Sequence, residues 1–193
     1  MLEINQFMLK QGMNKICEDR VCAVYEMQQD RGNGTIICYQ VFPGISVMYN
    51  NFHATVNSKR IESENNCLSI HHCKEGRIES ETINGEYLYL EPGDVLIEKL
   101  DSEYSTCSFP LSHFHGITIN ISLSENVEGR LNELLGYFNI NTMEIKKLFL
   151  SDNTTRGGND KSYFWRVIYA SGQSKEGIFT NKNNRAVYFV KIY

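Results

Sequence analysis

Thr35-Ile36-Ile37-Cys38-Tyr39-Gln40-Val41-Phe42, then Pro43-Gly44, then Ile45-Ser46-Val47-Met48-Tyr49-Asn50-Asn51-Phe52, is the stretch that decides the fold. Two runs rich in β-branched and aromatic side chains meet at a Pro-Gly pair. Such residues favour the pleated backbone, and Pro-Gly supplies a turn, so the stretch predicts a β-hairpin. Outward from it, Val21–Met27 lies behind the turn signal Arg31-Gly32-Asn33-Gly34. Downstream, 67–73, 77–83, 87–90, 95–99 and 114–121 repeat the pattern, with turns at Glu75-Gly76, Asn84-Gly85 and Pro92-Gly93-Asp94 and a polar loop over 57–66. About eight short strands so spaced predict a barrel or sandwich.

After Ile121 the period changes. Ser122 and Glu125 form an S-x-x-E capping pattern, and Val127, Leu131, Leu134, Leu135 and Phe138 recur at helical spacing. Further helices are expected near Thr142 (Ile145, Leu148, Phe149), over 162–171 (Phe164, Val167, Ile168) and from Asn184 (Val187, Val190, Ile192), with a polar connection over 151–160. The expected architecture is mainly β with C-terminal α: a barrel over 1–122 and a helical extension over 123–193. The last apolar run reaches Tyr193 without a Gly, Asn or Pro exit signal, which predicts a chain that continues.

The chain has 193 residues, 41% of them hydrophobic and 22% charged, enough to bury a core without staples. No apolar run approaches the ~18 residues of a membrane span, and the start lacks a basic, then apolar, leader. A soluble, cytoplasmic protein with no membrane partner is expected. Net charge is −4, split unevenly: residues 151–193 carry +4 and the first 150 carry −8. An acidic body of this kind does not bind a phosphate backbone by itself. The six cysteines (17, 22, 38, 67, 73, 107) show no C-x-x-C or zinc spacing and are expected to be reduced.

Three segments carry a resemblance: Ile70-His71-His72-Cys73-Lys74-Glu75-Gly76-Arg77-Ile78-Glu79, Tyr87-Leu88-Tyr89-Leu90-Glu91-Pro92-Gly93-Asp94, and Phe109-Pro110-Leu111-Ser112-His113-Phe114-His115-Gly116-Ile117. In that order and spacing they resemble the N-terminal sensor region of AraC-type transcriptional regulators, particularly those of Clostridium-like bacteria, over roughly residues 30–193. The resemblance implies a cupin-like barrel followed by helices, binding a small-molecule effector or serving homodimerisation. It also implies a C-terminal domain with two helix-turn-helix units, through which DNA would be read and which this chain lacks. Metal-binding cupins are similar in carrying a histidine soon after the Pro-Gly turn. No histidine falls between Cys73 and Ser112, so neither a metal nor another cofactor is expected.

His113 and His115 alternate in step with Ile117, Ile119 and Ile121, and His72 with Leu68 and Ile70. If the isoleucines face the core, these three imidazoles point into the barrel, with Tyr49 and Tyr87 as further ligand-binding candidates. Imidazoles so placed either hydrogen-bond to backbone or water, bind a polar effector, or hold a divalent cation. Glu75, Glu79 and Glu81 read as solvated hairpin residues, and Asp94 as a turn-fixing side chain. No nucleophile elbow surrounds Ser112, and no catalytic residue is expected. The stripe Val127, Leu131, Leu134, Leu135 and Phe138 either covers the barrel or meets a twofold mate. A stand-alone cupin enzyme, either a metal-dependent oxygenase or an isomerase, is the alternative, and a ligand-free dimerisation module the third possibility.

Overall fold

A computed structural model describes residues 8–9, 12–27, 32–55, 67–82, 87–99, 104–137, 143, 163–165, 176–180 and 187–191. In chain order the elements are β1 (Met13–Glu18), β2 (Cys22–Met27), β3 (Asn33–Phe42), β4 (Ile45–His53), β5 (Cys67–Gly76), β6 (Ile78–Thr82), β7 (Tyr87–Leu90), β8 (Val95–Lys99), β9 (Tyr104–Ser108), β10 (Phe114–Ser122), α1 (Glu125–Gly136), β11 (Tyr163–Trp165), β12 (Glu176–Thr180) and β13 (Val187–Lys191). The protein is mainly β.

The opening hairpin forms as its sequence dictates. β3 and β4 pair antiparallel from Asn33 opposite His53 to Phe42 opposite Ile45, and Gly44 takes the positive φ of 86° that the turn needs. Gln40 closes it, its Nε2 donating to the carbonyls of Phe42 at 2.6 Å and Ile45 at 2.9 Å. The large sheet runs β1-β2-β3-β4-β10-β5-β8-β11, and a second sheet runs β7-β6-β9. Every pairing in both is antiparallel.

The two sheets share one core. Tyr25, Cys38, Met48, Phe52, Cys73, Leu96 and Phe114 of the large sheet pack with Leu88 and Leu90 of the small one. The chain passes between sheets at Gly76, where β5 gives way to β6 with φ at 83°; a Cβ there would collide with the carbonyl of His113. The Pro92-Gly93-Asp94 turn is fixed as expected. Glu91 N donates to Asp94 Oδ2 at 3.0 Å, and Cys73 N to Asp94 O at 3.1 Å.

α1 lies on the other face of the large sheet. Leu131, fully buried, joins Leu68, Ile121 and Leu123, with Ile45, Ile70, Ile97, Ile119 and Leu135 packed around them. Burying a leucine side chain in this way contributes about 1.5–3 kcal/mol. Of the two destinations open to the stripe, the structure shows the sheet for Leu131 and Leu135, while Leu134 is half-buried. Phe138 and the side chain of Val127 lie outside the described residues. The cap differs from expectation: Ser122 ends β10, and Ser124 is the N-cap in extended conformation without a side-chain capping bond.

The expected C-terminal helices over 162–171 and from Asn184 are overturned where the chain is described. Tyr163–Trp165 pairs antiparallel with Val95–Ile97, and Glu176–Thr180 with Val187–Lys191. The reason is chemical. Tyr163-Phe164-Trp165 and Val187-Tyr188-Phe189-Val190 are consecutive aromatic and β-branched residues, which prefer the pleat, and short apolar runs fit either period. The expected helix near Thr142, the loop over 57–66, the turn at 84–85 and the connection over 151–160 lie outside the described residues. Strands β1 and β9 were not expected. β1 exposes five of its six residues, which hides its alternation.

Candidate functional site

β10 is flanked by β4 on one side and β5 on the other, and the two registers fix a grid on the sheet face that looks into the core. Gly116 lies between Asn50 and Cys73, Thr118 between Met48 and His71, and Asn120 between Ser46 and Ser69. Directly paired residues of an antiparallel ladder share a face, so these nine side-chain positions project together. Met48 and Cys73 belong to the inter-sheet core, which identifies this face as the inner one.

The grid is polar where a core is normally apolar. Asn50 Nδ2 donates to Thr118 Oγ1 at 2.9 Å, and Thr118 Oγ1 stands 3.0 Å from His71 Nδ1. Ser69 Oγ donates to Asn120 Oδ1 at 2.7 Å, while Asn120 Nδ2 reaches Met48 Sδ at 3.5 Å. Ser46, Ser69 and Thr118 are buried. Gly116 lets the Phe114 ring and the His72 carbonyl close in at the middle of the grid, because a Cβ there would stand 2.5 Å from the ring and 2.7 Å from the carbonyl. Amides, hydroxyls and an imidazole supply donors and acceptors without fixed charge, which suits a polar, uncharged ligand.

Burial suppresses reactivity around the grid. It pushes the Cys38 thiol up to about 11, and the Cys73 thiol up to about 12 with help from Asp94 and Glu91. Thiols so raised stay protonated and are poor nucleophiles. All six cysteines are free. Burial likewise holds the Tyr25 phenol up to about 12.

The expectation that His72, His113 and His115 point into the barrel is overturned. His72 and Ile117 are paired, as are His115 and Glu75, on the face opposite Thr118 and Gly116. The isoleucine row Ile117, Ile119 and Ile121 does mark a covered face, but the covering element is α1 rather than the second sheet, at least for Ile119 and Ile121. A one-residue step in a strand reverses every side chain, so the inward histidine is His71. Tyr49 also lies on the outer face, half exposed and edge-on to Tyr39 at 6.0 Å between centroids. Tyr87 sits on the outside of the small sheet beside Glu81, which raises its phenol, and Tyr89. None of the five expected ligand residues reaches the inner face.

Asn50, Ser69, His71, Thr118 and Asn120 were missed for the same reason. The signal available was the parity of Phe114 and Gly116: a large aromatic and a glycine share the alternation of Thr118, against the isoleucines. A resident metal of the cupin-enzyme kind does not fit the grid, whose donors are amides and hydroxyls with one imidazole. Among the described residues no three His, Cys, Asp or Glu side chains gather closely enough to hold an ion.

No protein-family model matches the chain, and no curated protein does. Solved structures similar to it include an HTH_3 family transcriptional regulator from Vibrio cholerae, at 13% identity and TM-score 0.37, over 51% of this chain and 56% of that one. The chain thus spans little more than half the length of that regulator. Another is the Cupin_2 domain of an XRE family transcriptional regulator from Enterobacter cloacae, at 15% identity and TM-score 0.37, covering 47% of this chain and 98% of that one. A third is the cupin domain of Cnp3 from Schizosaccharomyces pombe, at 13% identity and TM-score 0.41, covering 54% and 73%. Likeness at this distance extends to no residue of the site.

Proposed function

We propose that this chain is the effector-sensing part of an AraC-type bacterial transcription regulator, with a cupin-like barrel that takes a small polar, uncharged effector on the inner face of β4, β10 and β5. The observation that supports it is the polar grid itself. Burying the hydroxyls of Ser46, Ser69 and Thr118, with the half-buried amides of Asn50 and Asn120 beside them, costs free energy that apolar side chains of similar size would not, so a face built this way fits recognition better than packing. The family resemblance of residues 70–79, 87–94 and 109–117 supplies the regulator context. In this reading residues 1–122 form the sensor and 123–193 the part that conveys its state, possession of a homodimer contact included. DNA is contacted by a further, basic helix-turn-helix domain, since the first 150 residues carry −8. The protein is cytoplasmic and performs no catalytic step. Among the described residues no helix is long and apolar enough to cross a membrane.

The test is a thermal-shift screen of small uncharged polar metabolites, run in parallel on the chain and on Thr118→Val. An effector of the grid raises the midpoint of the first and leaves the second unmoved. A compound that shifts both equally binds elsewhere, and a screen in which no compound shifts the wild-type chain removes the sensor reading. The regulator half is tested by the gene: codons for two helix-turn-helix units downstream of Tyr193 support it, and a stop codon there counts against it.

A further inference from the structure

β1 ends the large sheet, and among the described residues no strand pairs with its outer edge. A strand edge of this kind presents backbone N–H and C=O groups that can take on another strand. The side chains of β1 are open as well: after Met13 every residue is exposed, Ile16 by 54%.

A bulge places the charges on this edge. The register with β2 shifts between Lys15 and Cys17, which makes Ile16 the extra residue. In a regular strand Lys15 and Glu18, three positions apart, would point to opposite faces. Here Lys15 lies opposite Tyr25 and Glu18 opposite Ala23, and Tyr25 and Ala23 both belong to the inter-sheet core. Both charges therefore stand on one face, where they pair with each other.

Lys15-Ile16-Cys17-Glu18 is complementary to itself when read backwards. In an antiparallel ladder whose twofold axis falls between Ile16 and Cys17, Lys15 stands opposite Glu18 of a second copy, and Glu18 opposite Lys15 of that copy. The internal pair is kept, and the four charges form a square of alternating sign. The two bulges have the same length on either side of the axis, so the ladder stays in step. Ladders centred on Lys15 or on Glu18 would instead set like charges against each other.

From these observations we propose that the free edge of β1 is a docking surface for β1 of a second copy, joining two large sheets antiparallel across a twofold axis. Isologous pairing of this kind uses each contact twice. A strand with another charge pattern meets an uncompensated lysine or glutamate there, so the edge repels foreign strands and accepts its own. The surface lies at the end of the sheet away from β10, β5 and β8, on which α1 packs, and it does not depend on the effector reading.

The experiment is sedimentation equilibrium of the full chain from micromolar to millimolar concentration, in reductant so that exposed Cys17 cannot link copies covalently. A reversible monomer–dimer equilibrium is expected. Lys15→Glu and Glu18→Lys each set like charges opposite one another twice, and each weakens the dimer about tenfold or more. Mixed in equal amounts, the two variants associate again, because one chain offers two negative positions and the other two positive ones. Each chain in that mixture still lacks its internal Lys15–Glu18 pair, so the recovery reports the contact between copies and not the folding of β1. A wild-type chain that stays monomeric, a single variant that dimerises as the wild type does, or a mixture no tighter than its components overturns the proposal.

Discussion

Thr118 and His71 meet across the β10–β5 ladder with Oγ1 and Nδ1 3.0 Å apart, and Asn50 donates to the same hydroxyl from the opposite strand. One side chain thereby ties three strands together at the centre of the inner face. Thr118→Val keeps the shape and removes the hydroxyl, so the half-buried Asn50 and His71 both lose this contact. The expected cost is about 1–3 kcal/mol, read as a lower urea midpoint at unchanged slope. An unaltered midpoint would mean that water already serves these groups.

Leu131→Ala opens a cavity between α1 and the outer face of the sheet, where Leu131 is fully buried. The expected destabilisation is about 2–5 kcal/mol. Tyr137→Ala, at the exposed end of the helix, should stay within about 0.5 kcal/mol. Equal effects at both positions would show that α1 does not dock on the sheet in solution.

Alkaline pH should unfold the protein through its buried acids. The thiols of Cys38 and Cys73 are raised by burial from 9.0 to about 11 and about 12, and the Tyr25 phenol from 10.0 to about 12. Above pH ~9 the unfolded chain releases protons that the folded chain retains, so stability is full below that pH and falls as pH rises toward 11–12. Denaturation midpoints measured from pH 7 to 11 check the sign. At pH 8 a soluble disulfide reagent should label exposed Cys17 first, with Cys38 and Cys73 reacting only on unfolding.

Gly116→Ala and Gly76→Ala should both destabilise, for different reasons. At Gly116 the new methyl meets the Phe114 ring at 2.5 Å and the His72 carbonyl at 2.7 Å. At Gly76 the backbone has φ at 83° and the methyl meets the carbonyl of His113, so strain of about 1–3 kcal/mol adds to the collision. Gly93→Ala, with φ at 89° and open space around it, isolates the strain alone. If all three variants lose the same stability, the collisions are relieved by backbone shifts.

The strands from Cys22 to Ser122 were largely legible, because β-branched runs bounded by Gly and Pro leave no other regular structure. The pairing of apolar positions within each strand was legible too: His72 does share a face with Leu68 and Ile70. What alternation could not decide was which face looks inward, since a sheet covered on both sides has two hydrophobic faces. β10 shows this directly, with Phe114 in the inter-sheet core and Ile121 beneath α1. Choosing the isoleucines as the core placed the site one residue out, at His72 instead of His71. The C-terminal aromatic runs failed differently. Val187-Tyr188-Phe189-Val190 satisfies a helical stripe and a strand equally well, and only a partner strand, Glu176–Thr180, separates the two.

Because β10 is clothed on both sides, Thr118 and its covalent neighbours Ile117 and Ile119 form a very short mechanical linkage. Anything that pushes Thr118 out of line with Asn50 and His71 must tilt a peptide plane whose next side chain, Ile119, packs with the residues beneath α1. Under the sensor proposal, the step from the inner face to the residues packed beneath α1 is thus a single residue along β10, taken through the pleat of one strand.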